Sequence, residues 1–206
     1  MSRPPATILA GGRSNRMGGG DKALADIGGQ TLLARIVGRL SPQAGPIAVN
    51  ANGHPKRFGA FDLPVLADAT QTFDGPLAGI LVAMNWARGI GASHVLTVAG
   101  DTPFFPDELV DALSGARSRN AIAVASSRGR SHPTFAIWPV ALRGDLEGDI
   151  AAGTRRLNDF IAGHQSVVVS FPDMRLGNGE DIDPFFNVNT PGDLAEARRI
   201  AQMIQA

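Results

Sequence analysis

Short apolar runs alternate along this chain with stretches whose apolar residues recur at helical spacing, and glycine or proline marks most of the changes. The runs at Ala6–Ala10, Pro46–Asn50, Leu63–Ala67, His94–Ala99, Ala121–Ser126, Thr134–Trp138 and Val167–Phe171 read as strands. Between them, Leu32, Leu33, Ile36, Val37 and Leu40 trace one face of a helix from Thr31 to Leu40, with Thr31 as its N-cap. A second helix is predicted from Leu77 to Arg88, with Pro76 near its start. A third spans Asp107 to Leu113 with acids in its first turn, where they complement the helix dipole. Two more are expected near Ala141–Ile150 and Arg156–Ala162. The last begins at Thr190, with Pro191 in the first helical position and Asp193 closing a capping box. The polar stretch Asp173–Asp183 reads as a surface loop.

Strands alternating with helices predict an α/β fold: one domain over residues 1–206, a three-layer sandwich whose mostly parallel sheet is covered by helices on both faces. In such a sheet, ligands bind beyond the carboxyl ends of the strands. The residues just past each strand are therefore the ones to inspect. After the first comes the segment from Gly11 to Lys22, after the second Asn50 and Asn52, after the third Asp68, and after the fourth Asp101.

The Gly11–Lys22 segment has the composition of an anion site. Its glycines let backbone N–H groups approach and face an anion, and Arg13, Arg16 and Lys22 add positive charge. It is not a Walker loop, because Asp21 precedes the lysine and Ala23 follows it. A dinucleotide fingerprint forced onto Gly18, Gly20 and Ala23 starts too far past the strand. Asp101, ending the most apolar strand, is the best candidate for a magnesium ligand, since nucleotide phosphates normally arrive with Mg2+. Asp68 reads either as a ligand contact or as a turn residue. His94 opens its strand at the wrong end of the sheet, His54 and His164 read as surface positions, and His132 reads as a core or turn histidine more readily than as a site residue.

Composition narrows the function. Lysine plus arginine and aspartate plus glutamate both number 19, so a net charge of zero argues against nucleic acid or a membrane surface as partner. There is no cysteine and no tyrosine, which removes thiolate metal sites and thiol or phenol nucleophiles. No signal peptide and no membrane span is read, and the expected location is the cytoplasm. Neither HExxH nor GxSxG occurs.

The segment Leu9–Lys22, LAGGRSNRMGGGDK, resembles the signature of the molybdenum cofactor guanylyltransferases, of the nucleotide-diphospho-sugar transferase superfamily. The resemblance continues through Gly75–Gly79 (GPLAG), Gly100–Pro103 (GDTP), His132–Thr134 (HPT) and Phe186–Pro191 (FNVNTP), in order along nearly the whole chain. It implies a Rossmann-like fold and transfer of GMP from GTP to molybdenum-molybdopterin, with release of pyrophosphate and with Mg2+ as cofactor. It places Leu9, Ala10, Gly11, Gly12, Lys22, Asn50, Asp68 and Asp101 around GTP, with the metal on Asp101. Asn187 and Asn189 fall on the molybdopterin side. Gly12, where related cytidylyltransferases carry alanine, favours guanine. Arg16, Lys22 and Asp101 are the expected catalytic residues, offsetting charge as a phosphate of the acceptor attacks the α-phosphorus. Transient contacts with the molybdenum-inserting enzyme and acceptor apo-molybdoenzymes are also implied. The alternatives are a nucleotidyltransferase using CTP or a sugar or alditol phosphate, and a non-catalytic nucleotide-binding module.

Overall fold

The computed structural model describes residues 3–11, 22–68, 75–118 and 120–205. Its centre is a seven-stranded sheet of β1 (Ala6–Leu9), β2 (Ile47–Asn50), β3 (Val65–Leu66), β4 (His94–Ala99), β5 (Ile122–Ser127), β6 (Arg130–Pro139) and β7 (Ser166–Ser170), in the order β3-β2-β1-β4-β6-β5-β7. Every neighbouring pair is parallel except the two made by β6, which runs against β4 and β5. The mostly parallel sheet read from the sequence is therefore present, with one reversed strand in its middle.

Alternation along the strands sends side chains to two faces. Ala6 and Ile8 of β1 point with Leu96 and Val98 of β4 towards α1 (Leu32–Leu40) and α3 (Leu109–Ala116). Val95, Ile122, Val124 and Trp138 point the other way, towards α2 (Pro76–Gly89), α4 (Arg143–Ala151) and α5 (Leu157–Ala162). Helices thus cover both faces. A third cluster lies around α6 (Pro191–Gln205), where Ala197, Ile200 and Ala201 meet Ile27, Leu32 and Phe104.

Local chemistry sets several boundaries. Thr31 caps α1, its hydroxyl accepting from Ala34 N–H at 3.1 Å. At α6 the predicted box forms in both directions: Thr190 Oγ1 accepts from Asp193 N–H at 3.1 Å, and Asp193 Oδ2 accepts from Thr190 N–H at 2.8 Å. These bonds, with a third from Asn189 N–H, hold the Asp193 carboxyl below its ordinary value.

Several expectations need correction. The third strand shrinks from Leu63–Ala67 to Val65–Leu66, because Pro64 has no N–H to add to a ladder. Helix α3 begins at Leu109, after a turn in which Leu109 N–H reaches the Pro106 carbonyl; Asp107 and Glu108 precede it, and only Asp111 lies in its first turn. Segment Asp173–Asp183 is no plain loop. It contains a two-stranded ribbon, β8 (Met174–Arg175) against β9 (Asp181–Ile182), and buries Leu176 and Ile182. His164 is not a simple surface residue, since its ring rests on Phe160 at 4.3 Å and its Nδ1 lies 2.8 Å from the Phe160 carbonyl.

Strand β6 also starts earlier than Thr134. Strands β5 and β6 form a hairpin through Arg128 (φ 48°) and Gly129 (φ 73°), a two-residue turn with both φ values positive. Arginine is a strained choice there, and its guanidinium is held by both oxygens of Asp173 at 2.8 and 2.9 Å. Further along, the register jumps: Val124 faces Ala136 but Ala125 faces His132, so Pro133, Thr134 and Phe135 have no partner in β5. This bulge falls where a proline cannot donate to the ladder.

Candidate active site

The cleft sits at the carboxyl ends of the parallel strands. It encloses about 280 Å3 and is walled by Leu9, Gly11, Asn50, Asn52, Asp68 and Ala99 from one side of the sheet edge. Gly75, Pro76 and Gly79 from the start of α2, together with Asp101, Thr134 and Asn187, complete it. Six of the sequence-predicted positions therefore line a single space: Leu9, Gly11, Asn50, Asp68, Asp101 and Asn187. Ala10 stands beside it, its N–H extending the ladder to the Asn50 carbonyl at 2.9 Å. Gly12, Arg13 and Arg16 lie outside the described residues.

Two carboxylates dominate the cleft, and their partners differ. Asp68 Oδ1 accepts from Asn50 Nδ2 at 2.8 Å, and Oδ2 accepts from Asn52 Nδ2 at 2.7 Å. Asn52 Oδ1 in turn accepts from Asp68 N–H at 3.0 Å, so the two side chains lock each other. Asn50 is 3% exposed and also donates to the Leu66 carbonyl at 3.1 Å. Arg57 donates to the Asn52 carbonyl, fixing the turn that carries this amide. The Asp68 carboxylate is thus oriented by neutral amides.

Asp101 has a cationic partner. Lys22 Nζ lies 2.8 Å from Asp101 Oδ2 and donates to Asn189 Oδ1 at 2.7 Å. Thr102 Oγ1 approaches Asp101 Oδ1 at 3.3 Å. Lys22 is held there because it opens a short 3-10 turn, Lys22–Leu24, whose Ala23 is buried in the first core. Asn189 is placed by a backbone bond from Val188 N–H to the Asp101 carbonyl, 2.9 Å, and by the cap at Thr190. Asn189, expected on a separate side from Lys22, is in direct contact with it.

Two glycines make the crowding possible. A Cβ on Gly79 would lie 2.6 Å from Asn50 Oδ1 and 3.0 Å from Leu9 Cδ2. A Cβ on Gly100 would lie 3.0 Å from the Leu9 carbonyl and 3.1 Å from Ala10 Cα. Both belong to segments, GPLAG and GDTP, whose reason for glycine was not visible from spacing alone.

On the β6 side, the bulge carries Thr134 to the cleft wall. Its carbonyl accepts from Thr97 Oγ1 at 2.9 Å, and Thr97 Oγ1 accepts from the buried Trp138 Nε1 at 2.8 Å. Next to it, fully buried Ser127 has its hydroxyl 2.7 Å from His132 Nε2 and 2.7 Å from Asp183 Oδ1. His132 stacks on Phe185 at 4.4 Å. Burial holds its imidazole below its ordinary value, opposed by Asp183 and reinforced by Arg130. The sequence favours a core or turn histidine here, and no local pattern marks Ser127 or Asp183. His94, as expected, opens β4 at the opposite edge of the sheet.

A parallel sheet that gathers a lysine, two carboxylates and several amides at its strand ends has the arrangement of a nucleotidyltransferase. Residues 6–167 match the MobA-like NTP transferase domain. The chain is 49% identical over 199 residues to the molybdenum cofactor guanylyltransferase of Mesorhizobium japonicum, covering 95% of this chain and 94% of that one. It is 50% identical over 198 residues to the enzyme of the same name from Rhizobium meliloti, covering 94% and 90%. The solved molybdopterin-guanine dinucleotide biosynthesis protein A of Archaeoglobus fulgidus shares the fold, with a TM-score of 0.74 at 21% identity over 96% of this chain and 98% of that one. The chain belongs to the MobA-like nucleotidyltransferases and, among them, to the molybdenum cofactor guanylyltransferase family. Among the described residues, no helix is long and apolar enough to cross a membrane.

Proposed function

We propose that this enzyme transfers GMP from GTP to molybdenum-molybdopterin, forming the guanine dinucleotide cofactor and releasing pyrophosphate. The observation that carries this reading is the pair of differently partnered carboxylates in one cleft. Guanine presents an N1–H and an adjacent amino group, two donors side by side. Asp68, oriented by Asn50 and Asn52, offers two acceptor oxygens that retain free lone pairs. Cytosine has no such pair of donors, so base choice follows from this carboxylate as well as from Gly12.

The triphosphate belongs on the other carboxylate's side. Mg2+ takes one or two carboxylates and fills its remaining positions with phosphate oxygens and water. Among the described residues no cluster of three or more histidines or carboxylates forms, and Asp101 as a single carboxylate facing a cleft fits that requirement. When bound there, the metal would neutralise charge on the triphosphate. The Lys22–Asp101 pair is partly buried, with side chains 18% and 26% exposed, and Asp101 lines the cleft. A polyphosphate with several anionic oxygens can therefore draw the ammonium onto itself. Lys22, with Arg16, then offsets the charge that builds on the leaving pyrophosphate.

On the acceptor side, the amides of Asn187 and Asn189 orient molybdopterin. A terminal phosphate oxygen attacks the α-phosphorus in line, the bond to the β-phosphate oxygen breaks, and pyrophosphate leaves. That phosphate is already ionised at neutral pH, so no general base is needed and positioning does most of the work. The test is pyrophosphate release from each of the four nucleoside triphosphates with molybdenum-molybdopterin and Mg2+. Release from GTP, dependent on the acceptor, is expected. Release with CTP instead, or tight GTP binding without release, overturns the reading.

A further inference from the structure

We propose that Ser127, His132 and Asp183 form a positioning node that sets where the Asn187 amide stands, and thereby how tightly the acceptor is held. The identity of the acceptor rests on the guanylyl-transfer reading; the geometry of the node does not.

Protons can be assigned around Ser127. Ser127 donates its single hydroxyl proton to Asp183 Oδ1, 2.7 Å away. The hydroxyl oxygen must then accept from His132, which fixes the imidazole with its proton on Nε2, 2.7 Å from Oγ. Asp183 Oδ1 also accepts from Phe185 N–H at 2.9 Å, and the Asp183 carbonyl accepts from Phe186 N–H at 3.0 Å. Ser127 is fully buried, and a buried hydroxyl that loses a partner is costly.

Segment 183–189 is thus fastened at both ends. At its start, Asp183 is bonded to Ser127, and Phe185 is packed on His132 at 4.4 Å and edge-on to Phe135 at 5.0 Å. At its far end, Val188 is bonded to Asp101 and Asn189 to Lys22. Asn187, which lines the cleft, lies between these fastenings. The far fastening belongs to the nucleotide machinery and the near one does not. Loosening the near end should therefore displace the Asn187 amide while leaving the contacts of Asp68 with Asn50 and of Lys22 with Asn189 in place. His132 opens the same bulge that brings Thr134 to the cleft wall, so the node joins two walls of the acceptor side.

The test compares S127A, H132L and H132Q with the unmodified full-length chain. Glutamine can still donate from a nitrogen placed like Nε2, and leucine cannot. S127A and H132L are expected to raise the KM for molybdenum-molybdopterin by about tenfold or more. The GTP dissociation constant should stay within about twofold, and H132Q should recover most of the loss. Hydrogen exchange at the Phe185 and Phe186 amides should quicken by about tenfold or more in S127A, while the Val188 amide and those of β1 and β4 keep their protection. Unchanged acceptor KM in folded variants, equal weakening of both substrates, or H132Q no better than H132L overturns the proposal. If the unmodified enzyme fails to use this acceptor, the guanylyl-transfer reading falls and the exchange measurement decides the node alone: unchanged protection at Phe185 and Phe186 then overturns it.

Discussion

Asp68 follows β3 and Asp101 follows β4, with β2 and β1 between them, and both face the same cleft, yet they are held by different partners. Asp68 is held by two neutral amides that fix its plane without cancelling its charge. Asp101 is held by an ammonium and stands where the chain leaves the buried strand β4. The difference teaches that residue type says little about a carboxylate's role, and that its partners say more. An oriented, uncompensated carboxylate suits recognition of N–H donors. A carboxylate with a detachable cation suits a site where charge is exchanged.

The comparison can be broken in several ways. The largest expected effect is on Asp101→Asn, which should lower kcat by about 10²–10³-fold while leaving the melting temperature nearly unchanged. A folded variant with full turnover would remove Asp101 from the chemistry. Asp68→Asn should instead act on binding. Losing charge-assisted bonds of roughly 1.5–3 kcal/mol each corresponds to GTP affinity falling by about 10–100-fold, with kcat at saturation little changed. Titration calorimetry giving equal dissociation constants would show that Asp68 does not read the nucleotide. Gly79→Ala probes the same side without removing a polar group. Its Cβ would meet Asn50 Oδ1 at 2.6 Å, so the amide that orients Asp68 must move. GTP binding should weaken by about tenfold, a cost near 1.4 kcal/mol; unaltered affinity would show that Asn50 is free to shift.

The smallest effect concerns pH. His132 is held below its ordinary value in the folded chain, by burial first, with Asp183 opposing and Arg130 adding. Between the folded and unfolded values the unfolded chain binds more protons, so stability falls as pH drops from about 6.5. In H132Q that part of the slope should vanish. A denaturation series from pH 8 to 5 with the same slope in both proteins would contradict the assignment.

Much of the parallel half of the site was legible in the sequence. The ends of the first four strands could be placed from apolar runs meeting glycine, asparagine or aspartate, and the strand-end rule then brought Gly11, Asn50, Asp68 and Asp101 to one edge. The Thr31 and Thr190 caps were legible because capping depends on a few adjacent residues. The β6 side was not. Reversal of β6 depends on a turn whose first residue, Arg128, is a poor turn former stabilised by Asp173, 45 positions away. The Pro133–Phe135 bulge appears only when two strands are laid in register. The Ser127–His132–Asp183 contacts join three segments, and the Lys22–Asn189 contact spans 167 positions, so no local pattern announces them. Family-wide motifs pointed to HPT and FNVNTP without giving the reason for either.

The β5–β6 hairpin also bears on the order in which the molecule forms. Each parallel pairing in the seven-stranded sheet has to await a long crossover, and closing long loops costs entropy before contacts repay it. Strands β5 and β6, joined by two residues, can pair almost as soon as they are made. They would then offer a ready edge on each side, to β4 through β6 and to β7 through β5. If this turn sets the pace of assembly, Gly129→Val should slow refolding more than it speeds unfolding in stopped-flow measurements.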